Sequence, residues 1–279
     1  MSIQAALDAV AAEAARGDMV FPTRVEVALQ VRRVLDDPDC SIEQLSKLVA
    51  ADPLLSAKVV GLSNSVAYNP GGRTYSDVRG ALSRIGFNAL RSLATAVVVR
   101  QMQESPKTPE LRAMSVRLWE HTTHVAALAR VIAKHVTKQD PEVAFFAGIV
   151  HEVGSFFLLS RAATIPDFLT CDFTPWREGG EAHIGNAVMR ALEVPDNVVA
   201  ALNTLWDGYL AIPPQSLGDT LMLADQLSPV ESPLMTLAGI SNQESAPVDF
   251  DLMIGNEMLQ SILKDSAEEV ASLTAALKN

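Results

Sequence analysis

With 279 residues, 48% of them hydrophobic, the chain can bury a sizeable core as one large domain or two of moderate size. A formal net charge of -11, from 33 acidic and 22 basic residues, opposes extended contact with nucleic-acid phosphates or an anionic membrane, because both require clustered Lys and Arg. The two cysteines, Cys40 and Cys171, offer neither a disulfide framework nor a zinc-ribbon spacing and read as packing residues of a chain in a reducing cytosol. The opening "MSIQAALDAVAAEAARGD" has no basic start before an apolar run. No later stretch reads as the ~20 apolar residues that cross a bilayer. The expectation is a soluble cytoplasmic protein.

In chain order, "TRVE" at 23 to 26 and "SIEQ" at 41 to 44 fit the capping box, in which a hydroxyl and an acidic or amide side chain satisfy the first-turn amides of a helix. Asp52-Pro53, Thr108-Pro109 and Asp140-Pro141 each place an N-cap residue before a proline at the first helical position, where its missing N–H costs nothing. Between these starts the apolar spacing is helical, as in Val27, Val31, Val34 and Leu35, and again in Leu90, Leu93, Ala94, Val97 and Val98. No alternating strand pattern stands out, so the fold class expected is all-α.

"YNPGGRTYSD" at 68 to 77 reads as a Gly-rich turn, and "QESPKTPE" at 103 to 110 as a boundary between two helical halves, 1–108 and 109–228. Further loops are expected at 170 to 180, at "AIPPQS" and across 229 to 247. The tail from 250 reads as one or two amphipathic helices, so that 229–279 closes the core or meets a partner. "WREGG" at 176 to 180 and "FPTRV" at 21 to 25 are given no role.

Four polar residues sit in apolar company. On the helix from 109, the face carrying Leu111, Met114, Leu118, Val125, Leu128 and Ile132 includes His121, whereas His124 shares the stripe of Arg117 and Glu120 and reads as a surface histidine. The helix from Pro141 has almost no polar face between Val143 and Val153, which encloses both His151 and Glu152; an ionised glutamate there is costly without a partner. Neighbours in sequence diverge by roughly 100° around a helix, so the two can share an ion only near a helix end, and Gly154 supplies one. Asp225 falls one turn after Leu221 and Met222 on the apolar side of another helix. Two imidazoles and two carboxylates suit iron, manganese or zinc; equally, each histidine can be a hydrogen-bonded core residue and Glu152 half of a buried ion pair.

With these residues in view, "LWEHTTHVAALARVIAKH", "EVAFFAGIVHEVG", "EAHIGNAVMRALEVPDNVVAAL" and "LADQL" together resemble the HD-type metal phosphohydrolase superfamily, and specifically its HDOD group of bacterial signalling proteins. "FPTRVEVALQVRRVLDDPDCSIEQLSKLVAADPLLSAKVVGLSNSVAYN" and "SDVRGALSRIGFNALRSLATAVVV" resemble the N-terminal HDOD region, so the likeness spans about residues 19–228. It implies an HD-like helical bundle with an N-terminal HDOD subdomain. His121 then takes the first metal-ligand position, His151 and Glu152 the His-Asp doublet, and Asp225 the final aspartate.

The sequence departs from the hydrolytic pattern in three places. The doublet is His-Glu, Ser155 stands where cyclic-dinucleotide phosphodiesterase relatives usually carry a lysine, and "NTLWDG" replaces a paired histidine, leaving only His183 toward a second metal. The expectation is therefore a non-catalytic regulatory module acting through protein partners or a small nucleotide ligand, with one divalent ion or none. The alternative is a metal-dependent phosphohydrolase acting on a nucleotide or cyclic dinucleotide.

Overall fold

The computed structural model describes residues 3–16, 26–106, 108–239 and 256–278, all of whose regular elements are helical. The capping box expected at 23 to 26, "FPTRV", the loop beyond 239 and the first residues of the tail lie outside the described residues. From the N-terminus the helices are α1 (Ile3–Ala15), α2 (Glu26–Leu35), α3 (Ile42–Ala50), α4 (Pro53–Ser63) and α5 (Val78–Gln103). They continue with α6 (Pro109–Ile132), α7 (Pro141–Val150), α8 (Val153–Arg161), α9 (Glu181–Ala191), α10 (Asp196–Asp207), α11 (Leu217–Gln226) and the short α12 (Pro233–Leu237). The tail supplies two helices, α13 (Asn256–Asp265) and α14 (Ala267–Lys278).

The local start signals act as the sequence predicts. Ser41 Oγ accepts from Gln44 N at 3.2 Å, Asp52 from Leu55 N at 2.9 Å, Thr108 from Leu111 N at 3.3 Å and Asp140 from Glu142 N at 2.8 Å. Each satisfies an amide that has no partner within its own helix. A kink at Gly86 (φ 78°) divides α5, which a side chain at that backbone angle would resist.

One hydrophobic cluster runs from Ala6 on α1 to Leu277 on α14. Its centre is the α7–α8 run. Within Pro141 to Thr164 an 18-residue window reaches a mean hydropathy of 1.7 and passes the length and composition test for a membrane span, contrary to the sequence reading. Buried residues make up 89% of that window, as suits a core helix pair, and the run breaks at His151 and Glu152. The crossing of α6 and α7 is close: a Cβ added at Gly148 would lie 2.5 Å from Ala126 Cα. A second close approach joins α8 to α9, where a Cβ on Gly154 would lie 2.8 Å from Gly185 N.

At the N-terminal end, α1 packs on α9 and on the 176–180 turn, with Glu13 paired to Arg161 of α8. At the other, α14 lies on α4 and α6 with Leu273 and Leu277 buried. Its carboxyl end is held by two cations, Lys58 Nζ donating to Leu277 O at 2.8 Å and Arg100 Nη1 to Lys278 O at 2.6 Å, where positive charge suits the helix dipole.

α11 opens on a full capping box that the sequence reading did not single out. Ser216 Oγ accepts from Asp219 N, and Asp219 accepts from Ser216 N (2.8 Å), Ser216 Oγ (2.7 Å), Ala211 N (2.9 Å) and Gln215 N (3.0 Å), which pins the α10–α11 loop. Burial pushes the Asp219 carboxyl up, but the hydrogen bonds from Ala211, Ser216 and Gln215 outweigh it and hold the group below its ordinary value. A carboxyl with a depressed folded pKa adds stability that is complete above the ordinary value and is lost as pH falls through the folded one. Asp219→Asn should therefore cost about 2 kcal/mol at neutral pH and remove part of the acid limb of the stability profile. Urea unfolding from pH 7 down to 3 tests this; parallel wild-type and variant profiles would refute it.

Candidate metal centre and its cavity

His121 projects from the middle of α6 and is 1% exposed. His151 ends α7 and Glu152 precedes α8, so the helix break that the doublet creates turns both side chains toward α6. His151 is 4% exposed and Glu152 3%. Asp225, near the end of α11, brings its Oδ1 to 3.1 Å from His121 Nε2. Its side chain is 32% exposed, so it stands at the mouth of the cluster rather than on a wholly apolar face. Of the four residues predicted from the sequence, His121, His151 and Glu152 form one group and Asp225 joins it through His121.

The histidines are oriented from behind. His121 Nδ1 donates to Val230 O at 2.6 Å and His151 Nδ1 to Gly148 O at 2.7 Å in the neutral tautomers. That leaves both Nε2 lone pairs facing inward, 3.1 Å apart. Two lone pairs at that distance require a proton or a cation between them. The backbone carbonyl behind each ring is the arrangement by which proteins fix metal-ligating imidazoles.

Donor atoms around one ion with bonds of about 2.1 Å stand about 3.0 to 3.4 Å apart in octahedral or tetrahedral sets. The His121–His151 and His121–Asp225 separations, both 3.1 Å, match; His121 Nε2 to Glu152 Oε1 is longer, at 3.8 Å. Ligand atoms of His121, His151 and Glu152 lie within 4.8 Å of one another. Among the described residues the buried Oε2 of Glu152 meets no hydrogen-bond donor. The donor set fits a divalent ion bound by nitrogen and oxygen.

Burial pushes both imidazoles toward their neutral forms. Asp225, beside His121, outweighs this and raises its pKa, whereas His151 is lowered further by its neighbour His121. Burial also acts upward on Asp225, but the hydrogen bond to His121 prevails and lowers its pKa.

The cluster opens into a cavity of about 600 Å³ between α9, α10, α11 and the 176–180 turn. Here the structure adds residues that sequence reasoning missed. "WREGG" forms a wall, with Arg177 and Glu178 lining the space beside Glu181, Trp206 and Asp207. Burial and the nearby Glu152 and Asp225 push the Glu181 carboxyl well above its ordinary value. Gly185, one turn after Glu181, leaves room for the Trp206 ring, since a Cβ there would lie 2.6 Å from it. That glycine in an apolar stripe with Ile184 and Val188 is the signal that could have placed Glu181 inward.

His183, retained toward a second metal, is exposed on the α1 side of α9 and does not line the cavity. Ser155 is buried, with no partner for its Oγ among the described residues. His124 is half-buried beside Lys278 of α14 rather than a surface histidine.

A helical bundle that closes a histidine of one helix onto a His-acidic doublet at the break between two others, with a late aspartate, has the architecture of the HD-type proteins. The HDOD domain family matches residues 21–170, and the chain belongs to that family. In structure it is similar to a protein of Shewanella amazonensis described as a candidate metal-dependent phosphohydrolase, with a TM-score of 0.68 and 22% identity over 97% of both chains. An HDOD domain protein of unknown function from Geobacter sulfurreducens gives a TM-score of 0.61 and 21% identity over 95% of this chain and 96% of that one. A candidate signal transduction protein from Marinobacter aquaeolei gives 0.59 and 16% over all of this chain and 62% of its own. At these identities the likeness is one of fold. Among proteins of curated function none matches the chain.

Proposed function

We propose that the protein is a regulatory signalling module that works by binding a protein partner or ligand, with a degenerate HD-type metal site and no turnover chemistry. His121, His151, Glu152 and Asp225 would hold the ion, iron, manganese or zinc. Bound there, such an ion would supply Lewis acidity and a local positive charge. The carbonyl oxygens of Val230 and Gly148 orient the two imidazoles from behind.

One observation carries the non-catalytic reading. Phosphoryl hydrolysis needs positive charge set against the developing anion; beyond one proposed ion the described cavity lining offers Arg177 as its one basic side chain, against Glu152, Glu178, Glu181, Asp207 and Asp225, which leaves the site formally negative even with the ion bound. Arg177 is exposed at the rim. Family membership supports the signalling role, and the second reading, a metal-dependent phosphohydrolase, draws on the grouping of His121, His151 and Glu152 with Asp225 beside His121.

The test is metal content after purification without added metal, followed by phosphodiesterase assays with manganese or iron supplied. The expected result is one bound ion, lost in His121→Ala and Glu152→Ala, with no hydrolysis in any form. Hydrolysis by the wild type that disappears in folded His121→Ala and Glu152→Ala would establish the enzyme instead.

A further inference from the structure

With every carboxyl counted as ionised, the cavity lining carries -5 from Glu152, Glu178, Glu181, Asp207 and Asp225 and +1 from Arg177. A divalent ion at the candidate centre would still leave it negative. Such a space opposes phosphate, and the question is what positive group it takes.

Two features point to a ligand beyond the ion. The first is Glu152, 97% buried: its Oε1 is the oxygen facing His121, and its Oε2 is the one without a donor among the described residues. An ion held through Oε1 leaves Oε2 as it is. Glu181, on α9, lines the same cavity beside Trp206. The second feature is the rest of the wall. Leu205, Trp206, Met222 and Met235 give it an apolar side suited to methylene groups, and about 600 Å³ is the scale of a small-ligand pocket. Carboxylates and an apolar lining in one cavity match an alkyl chain with an ammonium head, whereas a bare metal ion would use only the carboxylates.

We propose that this cavity binds a small organic cation of the alkylamine class, its ammonium group taken by Glu152 and Glu181 and its chain by Trp206, Met222 and Met235. This deepens the regulatory reading given above and rests on it: the amine is the signal that the module senses. Glu178 and Asp207 at the rim draw the cation in, and Arg177 excludes chains with a second cation placed close to the mouth.

The test is calorimetric titration of the purified protein, with and without prior chelator treatment, using n-butylamine, 1,4-diaminobutane, spermidine and inorganic phosphate as probes. At least one amine should bind with one-to-one stoichiometry, and phosphate should not compete. Glu181→Gln should weaken that binding about tenfold or more, the loss of one charge-assisted contact. Glu104→Gln, an exposed carboxylate elsewhere, should leave it unchanged. No saturable binding of any amine would overturn the proposal, and so would equal binding by wild type and Glu181→Gln, which would mark diffuse attraction to an acidic protein. Metal analysis of the same samples separates the two readings: amine binding by protein that never retains an ion sinks only the metal site, and a retained ion without amine binding sinks only the amine.

Discussion

Gly148→Val should lower the melting temperature by about 5 to 10 °C and abolish retention of the proposed ion. A Cβ at this position would stand 2.5 Å from Ala126 Cα and 2.9 Å from Ala126 N, both backbone atoms that cannot rotate aside. Relief requires α6 and α7 to separate. Overpacking of this kind costs about 1 to 3 kcal/mol and sometimes more, and in a domain of this size each kcal/mol moves the midpoint by about 2 to 4 °C. The site suffers with the fold, because Gly148 O orients His151 and Ala126 lies little more than a turn beyond His121 on α6. Moving the helices apart widens the 3.1 Å gap between the imidazoles. Gly61→Ala is the control, as nothing lies within 4 Å of its added Cβ. Thermal melts by circular dichroism with metal analysis decide the matter; a Gly148→Val protein that melts with the Gly61→Ala control and keeps its ion would refute the account.

Arg130→Ala should cost about 3 to 5 kcal/mol, the usual penalty for removing one partner from an enclosed ion pair. The Arg130 side chain is 10% exposed. Its Nε and Nη2 donate to Glu142 Oε1 at 3.2 and 3.1 Å, its Nη1 pairs with Glu269, and its guanidinium lies 4.7 Å from the centre of the Tyr68 ring. Tyr68 in turn donates its hydroxyl to Glu142. Burial, then the neighbouring Glu142, pushes that hydroxyl's pKa upward, so it remains a donor across the working pH range. One guanidinium thus ties α6 to α7, to α14 and to the turn after α4. Without it, Glu142 loses its counter-charge and Glu269 keeps only the more distant Lys134, at 3.9 Å. Arg130→Lys should recover little, because an ammonium cannot reproduce the forked donation or the stacking. Urea unfolding gives the energy and amide exchange the location: α14 should exchange faster than α7. A loss below about 1 kcal/mol would show the network to be as weak as an ordinary surface pair.

The parts of this molecule that were legible in the sequence are those fixed by near neighbours. Asp52, Thr108 and Asp140 cap helices through amides two or three residues away, so a short string suffices to find them. His121, His151 and Glu152 were legible for a different reason: a polar group in an unbroken apolar run has to face inward whatever the topology. Arg177 and Trp206 had no such marker, and Glu181 only the glycine one turn on, Gly185. "WREGG" looks like any polar Gly-containing loop, and only the packing of α9 against α8 and α10 makes it a wall. The same holds for the run from Pro141, whose composition suits a membrane span and whose burial depends on helices far away in the chain.

The wall between the cavity and the N-terminal helix is a single helix thick. Glu181 begins α9 and faces the cavity, while the other side of α9 receives α1, whose Leu7 fills the space left by Gly180. α1 also reaches α8 through Glu13 and Arg161, and α8 starts next to Glu152. The N-terminal helix therefore packs on both helices that carry or adjoin the two cavity carboxylates Glu181 and Glu152. Whatever pulls on α1 acts on the pocket from outside, without entering it.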